Sequence, residues 1–290
     1  MPADHILPDT EKIITCRPAV LLPLYSASLH QGAASVQHLE HRSFNAWPGE
    51  RCAMVGGWLL RSTHGYTKRA NSANALQPGA QLNAQLLQHI EAWYKRQQQP
   101  SIFRLSPLAD AAVDSLLQAH GYQLIEPSLV MQRTRQAQDA TWQPAQGLCF
   151  RVETQLNEQW LRGYCAASGL APRQQDALRL IQQSIVMPCA YVSVEYEGKA
   201  CAWGLVVLEL EAAGIYEVMV HPSYRGRGLG RQLLHGLLQW TAQQGATHTD
   251  LQVTGGNTTA QRLYTRLGFQ TVYGYHYRVK QFTFQRPAQE

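Results

Sequence analysis

The stretch RGRGLG, residues 225–230, decides how this chain is read. The apolar run IYEVMV (215–220) comes before it, and RQLLHGLLQW (231–240) follows with helical spacing. A strand, a glycine-rich turn and a helix together build an anion site. The backbone N–H groups at the helix start point outward, and the helix dipole favours negative charge there. Glycine lets the backbone approach a phosphate with no Cβ in the way. Arg225, Arg227 and Arg231 add charge around the turn. The ligand implied is a pyrophosphate.

Two pyrophosphate-binding loops are excluded on residues. A dinucleotide fold needs G-x-G-x-x-G and an acid closing the next strand. Here the spacing is G-x-G-x-G, and Asp250 opens its strand. A phosphate-loop NTPase needs G-x-x-x-x-G-K-[ST], and no lysine follows these glycines.

The flanking segments predict an α/β arrangement. LCFRVE (148–153) reads as a strand, and 157–168 and 172–185 as helices. Strands at 190–199 and 200–211 meet in a hairpin at Glu197-Gly198, and GIYEVMV (214–220) is a third. After the glycines, Leu229, Leu233, Leu234, Leu237 and Leu238 form one helical stripe, with Gly245 as a stop. DLQV (250–253) is a short strand. Asn257 caps a helix that carries Ala260, Leu263 and Leu267 and ends at Gly268. The tail 269–284 is strand-like, rich in aromatic and β-branched residues.

The pattern [QR]-x-x-G-x-G is met by Arg225, Gly228 and Gly230, after the strand VMV and Pro222. A second signature lies in DLQVTGGNTTAQRLYTRLGF, with Asn257, Ala260, Leu263, Tyr264 and Gly268-Phe269. Together, in this order, they resemble the GCN5-related N-acetyltransferase superfamily over roughly residues 147 to 280. The resemblance implies acetyl-CoA as donor and a bulged strand, IYEVMV, beside the coenzyme A loop. Backbone groups of Val218, Met219 and Val220 would hold the pantetheine arm and the acetyl carbonyl. The amides of Gly226, Arg227, Gly228, Leu229, Gly230 and Arg231 would hold the pyrophosphate. The bulge would open a V-shaped wedge toward DLQV where acetyl group and amine meet.

Tyr264 falls where the family carries a general acid; the other reading is that it packs at the pantetheine end. A phenol near pKa 10 can donate to a departing thiolate. Asn257 is a cofactor contact, a helix cap, or both. Glu217 is the candidate base on the right strand, or an exposed strand glutamate. His221 reads as a solvated turn residue.

The two halves of the chain look alike. QLLQHIEAW (85–93) matches QLLHGLLQW (232–240), and LLQAHGYQLI (116–125) matches LYTRLGFQTV (263–272). Trp240 stands 147 residues after Trp93, and Phe269 stands 147 after Tyr122, so one gap-free register aligns both. In that register Tyr264 maps to Leu117, Asn257 to Asp110, and Gly226, Gly228 and Gly230 to Gly79, Gln81 and Asn83. The first half keeps the scaffold and loses the cofactor loop. Leu251 maps to Arg104, which suggests a one-residue slip there. IYEVMV maps to TKRANSA (67–73), a polar stretch. Lys68, Arg69, Asn71 and Ser72, with Trp58 and Arg61, either line a substrate pocket or form a solvated hairpin face.

With 45% hydrophobic and 16% charged residues, 290 residues can build one large core or two ordinary ones. No apolar run approaches the roughly 18 residues of a membrane span. The N-terminal MPADHILPDTEK lacks a signal core, which leads to the expectation of a cytoplasmic protein. Cysteines at 16, 52, 149, 165, 189 and 201 have no metal-ligand spacing and are expected as buried thiols. His64, His89 and His120 are scattered, and no metal is expected. A net charge of +5 mildly favours an anionic ligand and is too weak for nucleic acid.

The expectation is an α/β protein of two tandem acetyltransferase-like domains, each a mixed, mostly antiparallel sheet flanked by helices. The first, 1–136, is degenerate; 137–147 is a linker; 148–290 is catalytic. It would acetylate a primary amine, of a small molecule rather than a protein, by direct attack. The alternatives are a non-catalytic coenzyme A-binding sensor or assembly protein, a protein N-terminal or lysine acetyltransferase, and a longer-chain acyltransferase.

Overall fold

The computed structural model describes residues 32–284. Cys16 and the N-terminal MPADHILPDTEK lie outside the described residues. The first half runs α1 (Gly32–Ala46), β1 (Arg51–Val55), β2 (Trp58–Ser62), β3 (Ala73–Ala75), α2 (Ala84–Arg96), β4 (Ser101–Leu105), α3 (Ala111–Ala119) and β5 (Gln123–Thr134). The second runs β6 (Leu148–Glu153), α4 (Glu158–Ser168), α5 (Pro172–Gln183), β7 (Cys189–Tyr196), β8 (Lys199–Glu209), β9 (Ala212–Val220), α6 (Leu229–Gln243), β10 (His248–Thr254), α7 (Thr258–Arg266) and β11 (Gln270–Lys280).

Among the described residues the strands form one sheet in the order β1-β2-β3-β4-β11-β5-β10-β9-β8-β7-β6. The pairs β3–β4 and β9–β10 are parallel, and every other pair is antiparallel. The mixed, mostly antiparallel character is the expected one, but the two sheets expected are a single continuous sheet, because β5 and β11 pair with each other. The two halves exchange their last strands: β11 lies between β4 and β5, and β5 lies between β11 and β10. Gln123 and Gln270, which open these strands, are counterparts in the 147-residue register. One sheet runs through both halves of the chain.

Local chemistry sets the elements as the sequence indicates. The β7–β8 hairpin turns at Glu197 and Gly198, both with positive φ. Asn257 caps α7 by accepting from the Ala260 amide at 3.1 Å. Leu229, Leu233, Leu234, Leu237 and Leu238 are all buried in the core between α6 and the sheet.

The helix α1 was not read from the sequence, and it ties both halves to the sheet. Glu40, 1% exposed, pairs with the equally buried Arg104 of β4 and accepts from the Tyr273 hydroxyl at 2.5 Å. Arg42 pairs at 2.5 Å with Asp250 of β10, a carboxyl whose pKa burial raises even beside that cation. Arg104 and Asp250 thus face the same helix. Phe103 and Leu251 instead enter the hydrophobic clusters, Phe103 in the first half and Leu251 beneath α6. The face alternation is one residue out of the 147 register, as the Leu251-to-Arg104 mapping suggested.

Two expectations are corrected. TKRANSA does not take the place of β9: residues 68–70 form a 3₁₀ turn, and the strand parallel to β4 is Ala73–Ala75. Constant-offset mapping fails there because the glycine loop and the strand before it are shortened in the first half. The cysteines are not uniformly buried. Cys165 and Cys201 are, but Cys52 and Cys149 are exposed on β1 and β6, the edge strands of the sheet, which have fewer neighbours to cover them.

Candidate active site

The glycine loop leaves β9 through a 3₁₀ turn, Pro222–Tyr224, capped by His221, whose Nδ1 accepts from the Ser223 amide at 3.2 Å. Arg225 Nε donates back to the Val220 carbonyl at 3.3 Å, holding the loop against the strand end. Gly226 has φ +78° and Gly228 φ +77°, the left-handed region where a side chain is strained. These two turns aim the chain into α6. The amides of Gly226, Arg227, Gly228, Leu229 and Gly230 have no hydrogen-bond acceptor among the described residues. The run stops at Arg231, whose amide already donates to the Gly228 carbonyl at 3.0 Å. Such a row of bare donors at a helix start fits a pyrophosphate.

Two depressions flank the loop on either side of Arg227. One, of about 490 Å³, is lined by Lys199, His221 and Tyr224; the other, of about 280 Å³, by Tyr196, Leu229 and Arg231. Arg227 stacks over the Tyr224 ring at 5.4 Å. Glu217 and Tyr264 line neither depression.

The wedge lies between β9 and β10. Their parallel pairing runs from Ala212 opposite His248 to Ile215 opposite Leu251, and then ends. Tyr216, Met219 and Val220 stay paired with β8, and residues 216–220 have no strand partner on the β10 side among the described residues. Trp203 opposes Met219 and Leu205 opposes Tyr216, so Glu217 and Val218 share one partner position, Gly204. This is the bulge the resemblance implied. Glu217 sits in it at φ +51°, a strained conformation for a non-glycine residue that costs about 1–3 kcal/mol. The partly buried Val218 and Val220 pack against the cluster that contains Leu229 of α6 and Tyr264 of α7. Met219 packs on the opposite face with Trp160, Tyr164 and Trp203.

The Glu217 side chain is only 7% exposed. Its Oε2 accepts from the Tyr164 hydroxyl on α4, and its Oε1 faces the Arg69 guanidinium at 3.4 Å. Burial and the neighbouring Glu217 both push the Tyr164 phenol up, so it stays a neutral donor. Tyr66 is raised for the same reasons. Burial works against charge on Arg69, and Glu217 with three nearby tyrosines outweighs it, so its pKa is raised. Arg69 lies over the Trp47 ring at 4.9 Å. The first half therefore supplies a cation to the wedge of the second.

Tyr264 is 7% exposed, and its ring meets Phe269 edge-on at 6.0 Å. Burial pushes its phenol up to about 12. Its hydroxyl makes no hydrogen bond among the described residues and is not fully enclosed. Asn257 stands at the start of the same helix, its side chain occupied as the cap.

The corresponding place in the first half is closed. The Ala80 amide donates to the Leu108 carbonyl at 3.0 Å, and the Asp110 amide to the Ala80 carbonyl at 2.9 Å, so the segments before α2 and α3 are bridged. Trp58 Nε1 bonds the Gln81 carbonyl at 2.9 Å. No group of three or more His, Cys, Asp or Glu residues suited to a metal occurs among the described residues.

The family model described as "Probable histone acetyltransferase Rv0428c C-terminal" matches residues 33–278. The chain belongs to this family. It is an acyltransferase of the GCN5-related N-acetyltransferase superfamily. An uncharacterized N-acetyltransferase of Bacillus subtilis, YobR, is 25% identical over 250 residues, covering 84% of this chain and 98% of its own. The [Ribosomal protein bS18]-alanine N-acetyltransferase of Escherichia coli is 35% identical over 72 residues, 25% of this chain and 49% of its own. Among solved structures, a GCN5-related N-acetyltransferase from Kribbella flavida superposes with TM-score 0.66 at 16% identity, covering 87% of this chain and 96% of its own. A tandem GNAT protein from the clavulanic acid biosynthesis pathway does so with TM-score 0.62 at 14% identity, covering 83% and 87%.

In this N-acetyltransferase family member the polar stretch near residue 68 divides. Trp58, Arg61, Asn71 and Ser72 are buried, and Asn71 bonds the backbone of Thr63, Gly65, Tyr66 and Thr67. Lys68 pairs with Glu126 at 2.7 Å. Only Arg69 reaches the wedge. Tyr164 was missed because its helical position reads as core, and Trp47 because it lies in a loop with no periodicity.

Proposed function

We propose that the protein transfers an acetyl group from acetyl-CoA to a primary amine of a small molecule by direct attack. The observation that carries this reading is the row of unpartnered amides from Gly226 to Gly230, opening onto the free edge of β9. In the proposal, residues 148–290 are the catalytic unit, 1–136 a degenerate copy without a cofactor loop, and 137–147 their linker. The loop amides, with Arg225, Arg227 and Arg231, hold the pyrophosphate. The free backbone edge of Val218, Met219 and Val220 holds the pantetheine arm, and Asn257 orders α7 beside it. Bound acetyl-CoA supplies the activated carbonyl and a thiolate leaving group.

This chain's residues align and neutralise. The amine nitrogen bonds to the carbonyl carbon as the carbon–sulfur bond breaks. A backbone N–H of the bulge faces the oxygen that gathers charge. Glu217, or a water it holds, takes the amine proton. The Tyr264 phenol hydrogen-bonds the departing sulfur. A phenol near pKa 12 keeps its proton through neutral pH, so its part is to donate that bond and pass a proton on as the sulfur becomes basic. No helix among the described residues is long and apolar enough to cross a membrane, and the cytoplasm is the compartment proposed.

The test is thiol release from acetyl-CoA against pooled aminoglycosides, amino acids, polyamines and short peptides, with the acetylated product identified by mass. Release with a small-molecule pool supports the proposal. Release with peptides alone moves the acceptor to proteins. Binding of acetyl-CoA without release from any pool overturns the proposal.

A further inference from the structure

Three features of the wedge stand outside the acetyl-transfer chemistry. The Arg69 guanidinium comes from the degenerate half, is 25% exposed, and meets Glu217 through one long contact of 3.4 Å. A guanidinium carries five N–H donors in a planar fork. No other acceptor bonds the Arg69 side chain among the described residues. It is nonetheless held in place. Its face lies on Trp47, and its backbone carbonyl accepts from Arg61. The adjacent cation, Lys68, is already matched by Glu126. Glu217 also neighbours Tyr164, Tyr66 and the Cys165 thiol, all of them neutral groups whose ionisation is opposed by burial.

The acceptor end of the wedge therefore presents one carboxylate and one under-used guanidinium side by side. A simple amine arriving as its ammonium meets Glu217 but also the like charge of Arg69. A lysine-rich tail brings several such charges to an acid that is already matched. An acceptor with a carboxylate next to its amine closes a ring of alternating charges: ammonium on Glu217, carboxylate on the open edge of Arg69.

We propose that the acceptor is an amino acid-like zwitterion, and that Arg69 is the specificity residue that binds its carboxylate. This rests on the acetyl-transfer reading of the same wedge. Trp47 then acts as the platform that fixes the guanidinium plane, and the first half is kept for acceptor choice rather than cofactor binding.

The experiment uses the full chain, acetyl-CoA and matched acceptors: free α-amino acids, the same amino acids as carboxamides, their decarboxylated amines, and a lysine peptide blocked at its N-terminus. For wild type, kcat/KM for the free acid should exceed that of its carboxamide by about tenfold or more. Arg69→Gln should erase that preference through the acceptor KM and leave acetyl-CoA affinity by calorimetry unchanged. Arg69→Lys should restore part of it, since an ammonium keeps the charge but not the fork. Equal turnover of acid and carboxamide by wild type overturns the inference without any variant. So does a preference that survives Arg69→Gln. Turnover of the blocked lysine peptide alone overturns it while leaving acetyl transfer standing. No thiol release with any acceptor, while acetyl-CoA binds, overturns both.

Discussion

Replacing Gly230 by alanine separates the needs of the fold from those of the ligand. Gly230 lies in the first turn of α6. An added Cβ would meet Leu263 Cδ2 at 3.5 Å and Val220 Cγ2 at 3.7 Å, ordinary contacts. Unlike Gly226 and Gly228, it does not need positive φ. For the protein alone the change should stabilise, by up to about 0.5–1 kcal/mol from helix propensity, which for a chain of this size is about 1–4 °C in Tm. For the ligand it should harm. The methyl stands beside the row of bare amides, and forcing a phosphate off one charged hydrogen bond costs about 1.5–3 kcal/mol, or about 10–150-fold in Kd. Thermal unfolding and acetyl-CoA calorimetry on Gly230→Ala read the two effects independently. A variant at least as stable as wild type that binds acetyl-CoA tenfold or more weakly is the expected result. Wild-type affinity in a folded variant would refute close approach of the ligand to this loop.

Other consequences are direct. Glu40→Ala leaves Arg104 buried without its partner and should cost about 3–5 kcal/mol, seen as a lower denaturation midpoint; a loss below about 1 kcal/mol would contradict the pairing. The bridge between Ala80 and Ala109 closes the first-half wedge, so calorimetry should find a single acetyl-CoA site per chain, and a second site would contradict it. The Tyr264 phenol should ionise near 12 instead of 10, read as the ultraviolet difference between wild type and Tyr264→Phe. Since its folded pKa is the raised one, the stability it contributes is full below pH 10 and falls as pH rises toward 12. Ionisation near pH 10 would mean the ring is not buried.

Much of the second half could be read from its sequence, because each signal there is local. Gly226 and Gly228 take the backbone conformation their residue type allows, Asn257 caps the helix it precedes, and the α6 leucines bury the stripe they trace. The strand exchange could not be read. The repeat showed that β5 and β11 are counterparts, but not that each completes the other half's sheet, which depends on pairing between distant segments. The helix α1 escaped because its key residues, Glu40 and Arg42, are charged, and only the buried Arg104 and Asp250 explain them. Glu217 lies in the β9 bulge. Its partners Tyr164 and Arg69 lie 53 and 148 residues away, beyond the reach of any spacing rule.

The proposed acyl transfer in the wedge between β9 and β10, with Tyr264 at the leaving sulfur, stands or falls on steady-state thiol release with Tyr264→Phe. The calorimetric affinity for acetyl-CoA serves as its control. In this variant kcat should fall by about 10²–10⁴ with acetyl-CoA affinity preserved, since the loop amides are untouched. A folded variant that turns over at the wild-type rate would contradict the proposal.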